Sequence, residues 1–268
     1  MVLLLLSACS QAADSVARAR DQATALVDQV RTAVEEAKER NAQQTGEVSR
    51  NAPVGGRQIR TDTGQPFDYA EYQATLETTI ATLQEYWSRA LPERFDVQYT
   101  PPARYGYYRG DEGPRPDCAG EQAPPNNAFY CPAGDFIAWD ETGLMIPYYV
   151  GAGDFAASFV LAHEFGHAMQ ARLPRQERLG VLRELQADCF AGAWARYVQD
   201  RGLLEAGDLD EATFAVFSAR DVPGTSFTEP QAHGSGFERT RAFTDGYEGD
   251  PRRCYPAPGQ DWLITSGR

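Results

Sequence analysis

Residues 163–167 read His-Glu-Phe-Gly-His, an HExxH pattern inside a stretch of helical character. Four residues make a little over one helical turn, so both imidazoles leave the same face and can reach one ion. Glu164, beside them, can take a proton from a water held by that ion. Gly166 leaves room for close backbone packing near the pair. The chain has only three histidines, which makes a chance HExxH a poor explanation. The competing structural explanation is a buried histidine pair satisfied by hydrogen bonds alone.

A zinc enzyme takes three protein ligands and leaves one coordination position for water. Downstream, Glu184-Leu185-Gln186-Ala187-Asp188 puts two carboxylates four residues apart, on one helical face. Glu184 can bind the metal while Asp188 accepts a hydrogen bond from a ligand histidine and fixes its tautomer. An exposed acidic face is the ordinary fate of such a pair. Here Leu182, Leu185 and the run Cys189-Phe190-Ala191-Gly192-Ala193-Trp194 give the helix too much apolar surface to be wholly solvated. Ala187 and Ala191 are small enough to let it approach the HExxH helix.

HEFGHAMQ (163–170) followed by ELQADCFAGAWA (184–195) resembles the predicted neutral zinc metallopeptidase family of bacteria. That family belongs with the gluzincins, which pair HExxH with a downstream ExxxD. Phe129-Tyr130-Cys131-Pro132 is also similar, as are His233-Gly234-Ser235, Arg239, Phe243, Gly246 and Gly249-Asp250-Pro251 leading to Cys254. The resemblance covers residues 67 to 255. It implies a zincin fold, one zinc ion per chain and hydrolysis of peptide or protein substrates. His163, His167 and Glu184 would be the ligands, Glu164 the general base and Asp188 the residue that orients a ligand histidine. Gluzincins often use a C-terminal histidine to stabilise the oxyanion, a role that would fall on His233. A solvent-exposed histidine at a helix start fits that position equally well. Asn127-Ala128-Phe129 looks like the edge-strand segment with which gluzincins grip extended substrates, which would make Asn127 and Ala128 substrate-binding; an ordinary strand start reads the same way. The alternative at the level of function is a catalytically inactive zincin acting as a lipid-anchored binding or scaffolding protein.

The elements that must position these residues can be read from periodicity and end signals. Residues 68–91 form an amphipathic helix with Tyr72, Leu76, Ile80, Leu83 and Trp87 on one side, ended by Pro92. Residues 95–100 alternate like a strand, 101–125 are rich in Gly, Pro and Tyr, and 129–140 return to strand character around Pro132-Ala133-Gly134-Asp135. Helices are expected over 154–173, N-capped by Asp154, then over 177–200 and 208–219. A further helix starts at Ser235, whose spacing to Glu238 is that of a capping box. The expected fold is α+β, zincin-like, mostly helical with a small antiparallel sheet.

Four cysteines, Cys118, Cys131, Cys189 and Cys254, suit two disulfides in an exported protein. Cys118 and Cys131 enclose a short loop and form the natural local pair. Cys189 with Cys254 would then tie the C-terminal segment to a central helix. The fifth, Cys9, ends Leu6-Ser7-Ala8-Cys9, which resembles the lipobox of bacterial lipoproteins and points to lipidation. The apolar run before it is short and lacks a basic n-region, which a start codon placed too far downstream would explain. The expected organisation is a leader over 1–9, a helical stalk and flexible linker over 10–66, and a metallopeptidase domain over 67–268. A membrane is then a partner through the lipid on Cys9, and the protein is extracytoplasmic. The net charge of -13 over 268 residues argues against a nucleic-acid partner, which needs a basic face. No apolar run approaches the roughly 20 residues that span a bilayer.

Overall fold

The computed structural model describes residues 66–110 and 112–257. Cys9, the expected stalk helix and nearly all of the linker lie outside them. Among the described residues no helix is long and apolar enough to cross a membrane.

Helix α1 (Tyr69–Phe95) starts at Asp68, whose carboxylate accepts the Ala70 and Glu71 N–H groups at 2.8 and 3.2 Å. Tyr72, Leu76, Leu83 and Trp87 are buried as their spacing predicts. Pro92 does not end the helix. Its ring removes one hydrogen bond within the last turn, and the stop comes at Asp96, in the left-handed region with φ 55°.

Residues 96–100 form no strand. Phe95, Val97 and Tyr99 do pack against the core on alternate positions, so the pattern reports burial. Among the described residues no neighbouring strand pairs with it. The strand sits later, in the Gly/Pro/Tyr-rich stretch: β1 (Arg104–Tyr108) is followed by a hairpin of β2 (Asp117–Cys118) and β3 (Glu121–Gln122). Then come β4 (Ala128–Cys131) and β5 (Phe136–Asp140), joined by the expected turn. The main sheet has the order β1-β5-β4; β4 pairs antiparallel to β5, with Ala128 opposite Trp139, but β1 pairs parallel, with Tyr105 opposite Ile137. The sheet is therefore mixed within an α+β layout.

Central β5 is buried throughout. Its Ile137 and Trp139 join the main core, whereas Phe136 and Ala138 join a second cluster with Tyr108, Ala123 and Cys131. At its end the buried Asp140 carboxylate accepts backbone N–H groups from Gly110, Asn126 and Gly143 at 2.8–3.1 Å, gathering three loops. A π-helical turn, Glu141–Met145, leads into α2 (Ile146–Ala152).

Helix α3 (Asp154–Gln170) is buried along almost its whole length. Asp154 is not its N-cap: Gly153 occupies that position with φ 117°, and Glu211 from another helix accepts the Phe155 N–H at 2.9 Å. The cap is thus supplied by tertiary contact. Three further helices follow, α4 (Gly180–Gln199), α5 (Asp208–Ser218) and α6 (Gly236–Glu248), the last with the Ser235–Glu238 capping box. Gly166 of α3 lies so close to α4 that a Cβ there would stand 2.9 Å from the Cα and carbonyl oxygen of Ala187. Both expected disulfides form, Cys118–Cys131 and Cys189–Cys254. The first ties the small hairpin to β4; the second ties α4 to the 3-10 turn Pro251–Cys254 after α6.

Candidate metal centre

His163 and His167 leave one face of α3, and α4 brings Glu184 to meet them. His163 Nε2 lies 3.1 Å from His167 Nε2 and 3.2 Å from Glu184 Oε2, and His167 Nε2 lies 3.4 Å from Glu184 Oε1. Tetrahedral zinc with bonds of 2.0–2.2 Å needs ligand atoms about 3.3–3.5 Å apart. Two imidazole nitrogens and a carboxylate, reached through Oε2 from His163 and through Oε1 from His167, can be gathered on one such ion, and the set suits zinc in its donor chemistry.

Both histidines are oriented through their other nitrogen. His163 Nδ1 lies 2.8 Å from Asp188 Oδ1, and His167 Nδ1 lies 3.0 Å from Gln170 Oε1. Gln170 is itself set by donating from Nε2 to the Arg183 carbonyl at 2.6 Å, which leaves its oxygen to accept. In the neutral imidazoles that zinc requires, Nδ1 therefore keeps the proton and the Nε2 lone pair is left for the common point. Asp188, fully buried, is gripped by Arg239, whose Nε and Nη2 each donate at 2.8 Å while Nη1 donates to the Ala219 carbonyl at 2.7 Å.

The charges are strongly coupled. Burial opposes the His163 imidazolium, but the hydrogen bond and charge of Asp188, then Glu184, outweigh it and raise its pKa to about 10. Burial also opposes the His167 cation, and Glu184 again overcomes this. Burial would lift Glu184, yet the two histidines hold it well below the carboxylate range. Asp188 is kept low against its burial by Arg239. Glu164 differs: burial raises it, only partly offset by the histidines.

A cleft of about 630 Å³ opens over this point and is lined by all three candidate ligands, Glu164, Asn127, Ala128 and His233. Strand β4 is an edge of the sheet and borders the cleft. The Asn127 carbonyl accepts the Asp140 N–H at 2.8 Å and the Tyr108 hydroxyl at 3.0 Å, so Asn127 is engaged within the sheet. By strand alternation Ala128 and Tyr130 turn their backbone groups to the open edge, and the Tyr130 N–H meets the Glu164 carboxylate. His233 is half exposed. Its backbone N–H and that of Gly234 donate to Asp221 Oδ2 at 2.9 and 2.8 Å, and its Nδ1 stands 3.6 Å from Asp221 Oδ1. Gln170, Asp221 and the clamp role of Arg239 escape a reading of the sequence. Gln170 has one local signal, its position three residues after His167; the other two contacts are made across loops.

Fold and site together define a helical α+β domain that presents two imidazoles of an HExxH helix and a neighbouring carboxylate to one point, a group able to hold a metal ion. The family model described as "putative neutral zinc metallopeptidase" matches residues 42–256, and the chain belongs to that family. It is similar to uncharacterized protein YpfJ of Escherichia coli (strain K12), at 34% identity over 204 residues, covering 65% of this chain and 68% of that one. It is also similar to uncharacterized protein Rv2575 of Mycobacterium tuberculosis (strain ATCC 25618 / H37Rv), at 34% identity over 157 residues, covering 47% and 53% respectively. No solved structure matches the chain.

Proposed function

We propose that this protein hydrolyses peptide bonds using one zinc ion held by His163, His167 and Glu184. The observation that supports this most is the convergence of three ligand atoms beside buried Glu164, at the foot of an open strand edge. When bound, zinc supplies a water of pKa lowered to about 7 and a polarised substrate carbonyl. Glu164 takes the proton of the attacking water and passes it to the leaving nitrogen, and its burial strengthens its hold on that proton in between. His233, set by Asp221, donates to the oxygen that becomes negative. An extended substrate adds to the edge at Ala128, with Asn127 at the rim. Asp188 and Arg239 keep His163 in one tautomer throughout.

Two disulfides accord with an oxidising compartment. We place the protein outside the cytoplasm, with the 67–268 domain carried on its stalk from a lipid on Cys9.

The test is hydrolysis of an unfolded casein-type substrate by zinc-loaded protein, with and without chelator, beside Glu164→Gln. Chelation should abolish activity. Glu164→Gln should keep its zinc and lose about 100-fold to 10,000-fold in rate. Full activity in that variant would overturn the base assignment, and no hydrolysis by the wild type would favour a non-catalytic zincin.

A further inference from the structure

Arg183 stands one residue before Glu184 on α4 and lines the same cleft. Its backbone is fixed, because its carbonyl accepts from Gln170, the residue that also holds His167. Its side chain is exposed and makes a long hydrogen bond, 3.5 Å, from Nη1 to the Glu177 carbonyl. The Glu177 carboxylate is taken by Arg175 at 3.3 Å. Among the described residues no carboxylate forms an ion pair with Arg183 within 4.0 Å.

The rest of the cleft makes this cation distinctive. Its two lining carboxylates, Glu164 and Glu184, both belong to the metal centre, and its other guanidinium, Arg239, is buried against Asp188. Its apolar lining includes Leu144, Tyr148, Phe159 and Val160, and the Phe159 ring stands 6.1 Å from the His163 ring. Gln170 meets His167, and Gln176 and Arg183 are both hydrogen-bonded to Gln170, so these three line the cleft on the His167 side. With a net charge of -13 the chain repels anions at a distance, so a lone cation acts only at contact range, inside the screening length of about 8 Å.

We infer that Arg183 is a specificity-determining residue that takes a substrate carboxylate at the His167 end of the cleft. The inference rests on the peptidase reading. A guanidinium fork matches the two oxygens of any carboxylate. Two sources share that chemistry, an acidic side chain near the cleaved bond and the free C-terminus of a short peptide.

The experiment uses matched peptides, with Glu, Gln or Lys at each position flanking the cleaved bond and with free or amidated C-termini. Hydrolysis is measured with zinc-loaded wild type and Arg183→Glu. Binding is measured by fluorescence anisotropy on zinc-loaded Glu164→Gln, with and without Arg183→Glu. The wild type should favour one Glu peptide over its Gln partner about tenfold in kcat/KM, and Arg183→Glu should shift the preference to the Lys peptide. A preference for the free over the amidated terminus, lost in Arg183→Glu, assigns the carboxylate to the chain end. Equal binding and equal cleavage of all peptides overturn the inference and leave the peptidase reading standing. Arg183-dependent binding without hydrolysis does the reverse, and no binding of any peptide overturns both.

Discussion

Arg239 meets Asp188 through two parallel hydrogen bonds of 2.8 Å, in a place where both side chains are almost fully removed from water. Asp188 uses the same Oδ1 to hold His163. The pair therefore links α6, which carries Arg239, to the HExxH helix through a residue on α4.

Breaking this pair should be costly. Arg239→Met leaves a buried carboxylate without its counter-charge, with an expected loss of about 3–5 kcal/mol. Urea unfolding of the zinc-loaded protein measures it. A loss below about 1 kcal/mol would show that Asp188 does not depend on Arg239.

Metal retention should depend on all three convergent side chains. Purified wild type is expected to hold one zinc per chain, and His163→Ala or Glu184→Ala to hold little. Asp188→Ala should keep the ligand set but weaken zinc binding by about 10–100-fold. Metal analysis after dialysis against a weak chelator reads all four proteins. Full zinc in Glu184→Ala would remove Glu184 from the ligand set.

Acid should release the metal. Zinc needs neutral imidazoles, and Asp188 with Glu184 raises the pKa of His163 to about 10, while Glu184 raises that of His167. Protons thus compete with zinc already near neutrality, and affinity should fall by up to about 100-fold per pH unit lost if both sites must deprotonate. In the chelated protein the sign reverses. The raised pKa of His163 contributes stability that is complete below about 6.5 and is lost as pH rises through about 10. Zinc competition titrations at pH 6, 7 and 8, beside unfolding of the chelated protein from pH 6 to 10, check both directions. A zinc affinity independent of pH would contradict the charge coupling.

Gly166 should not tolerate a methyl group. A Cβ there meets the backbone of Ala187 at 2.9 Å, and backbone cannot turn aside as a flexible side chain can. Gly166→Ala is expected to cost about 1–3 kcal/mol and to loosen zinc by shifting α4. Unchanged thermal unfolding and zinc affinity would mean that the two helices separate easily.

The sequence alone determined what local spacing controls. HExxH places His163 and His167 on one face because four residues are close to one helical turn, and Glu184 with Asp188 follows the same rule. The capping box at Ser235 and the turn at 132–135 were legible for similar reasons. Apart from the Cys189–Cys254 bond and the meeting of Glu184 and Asp188 with the histidines, contacts between residues far apart in the chain were decided by tertiary structure. The parallel pairing of β1 with β5 turned a small antiparallel sheet into a mixed one. The cap on α3 came from Glu211, 56 residues from Phe155. Arg239 reached Asp188 across 51 residues, and Asp221 reached His233 across 12. Such contacts have no sequence period, because they depend on how helices and loops pack once their apolar faces are buried.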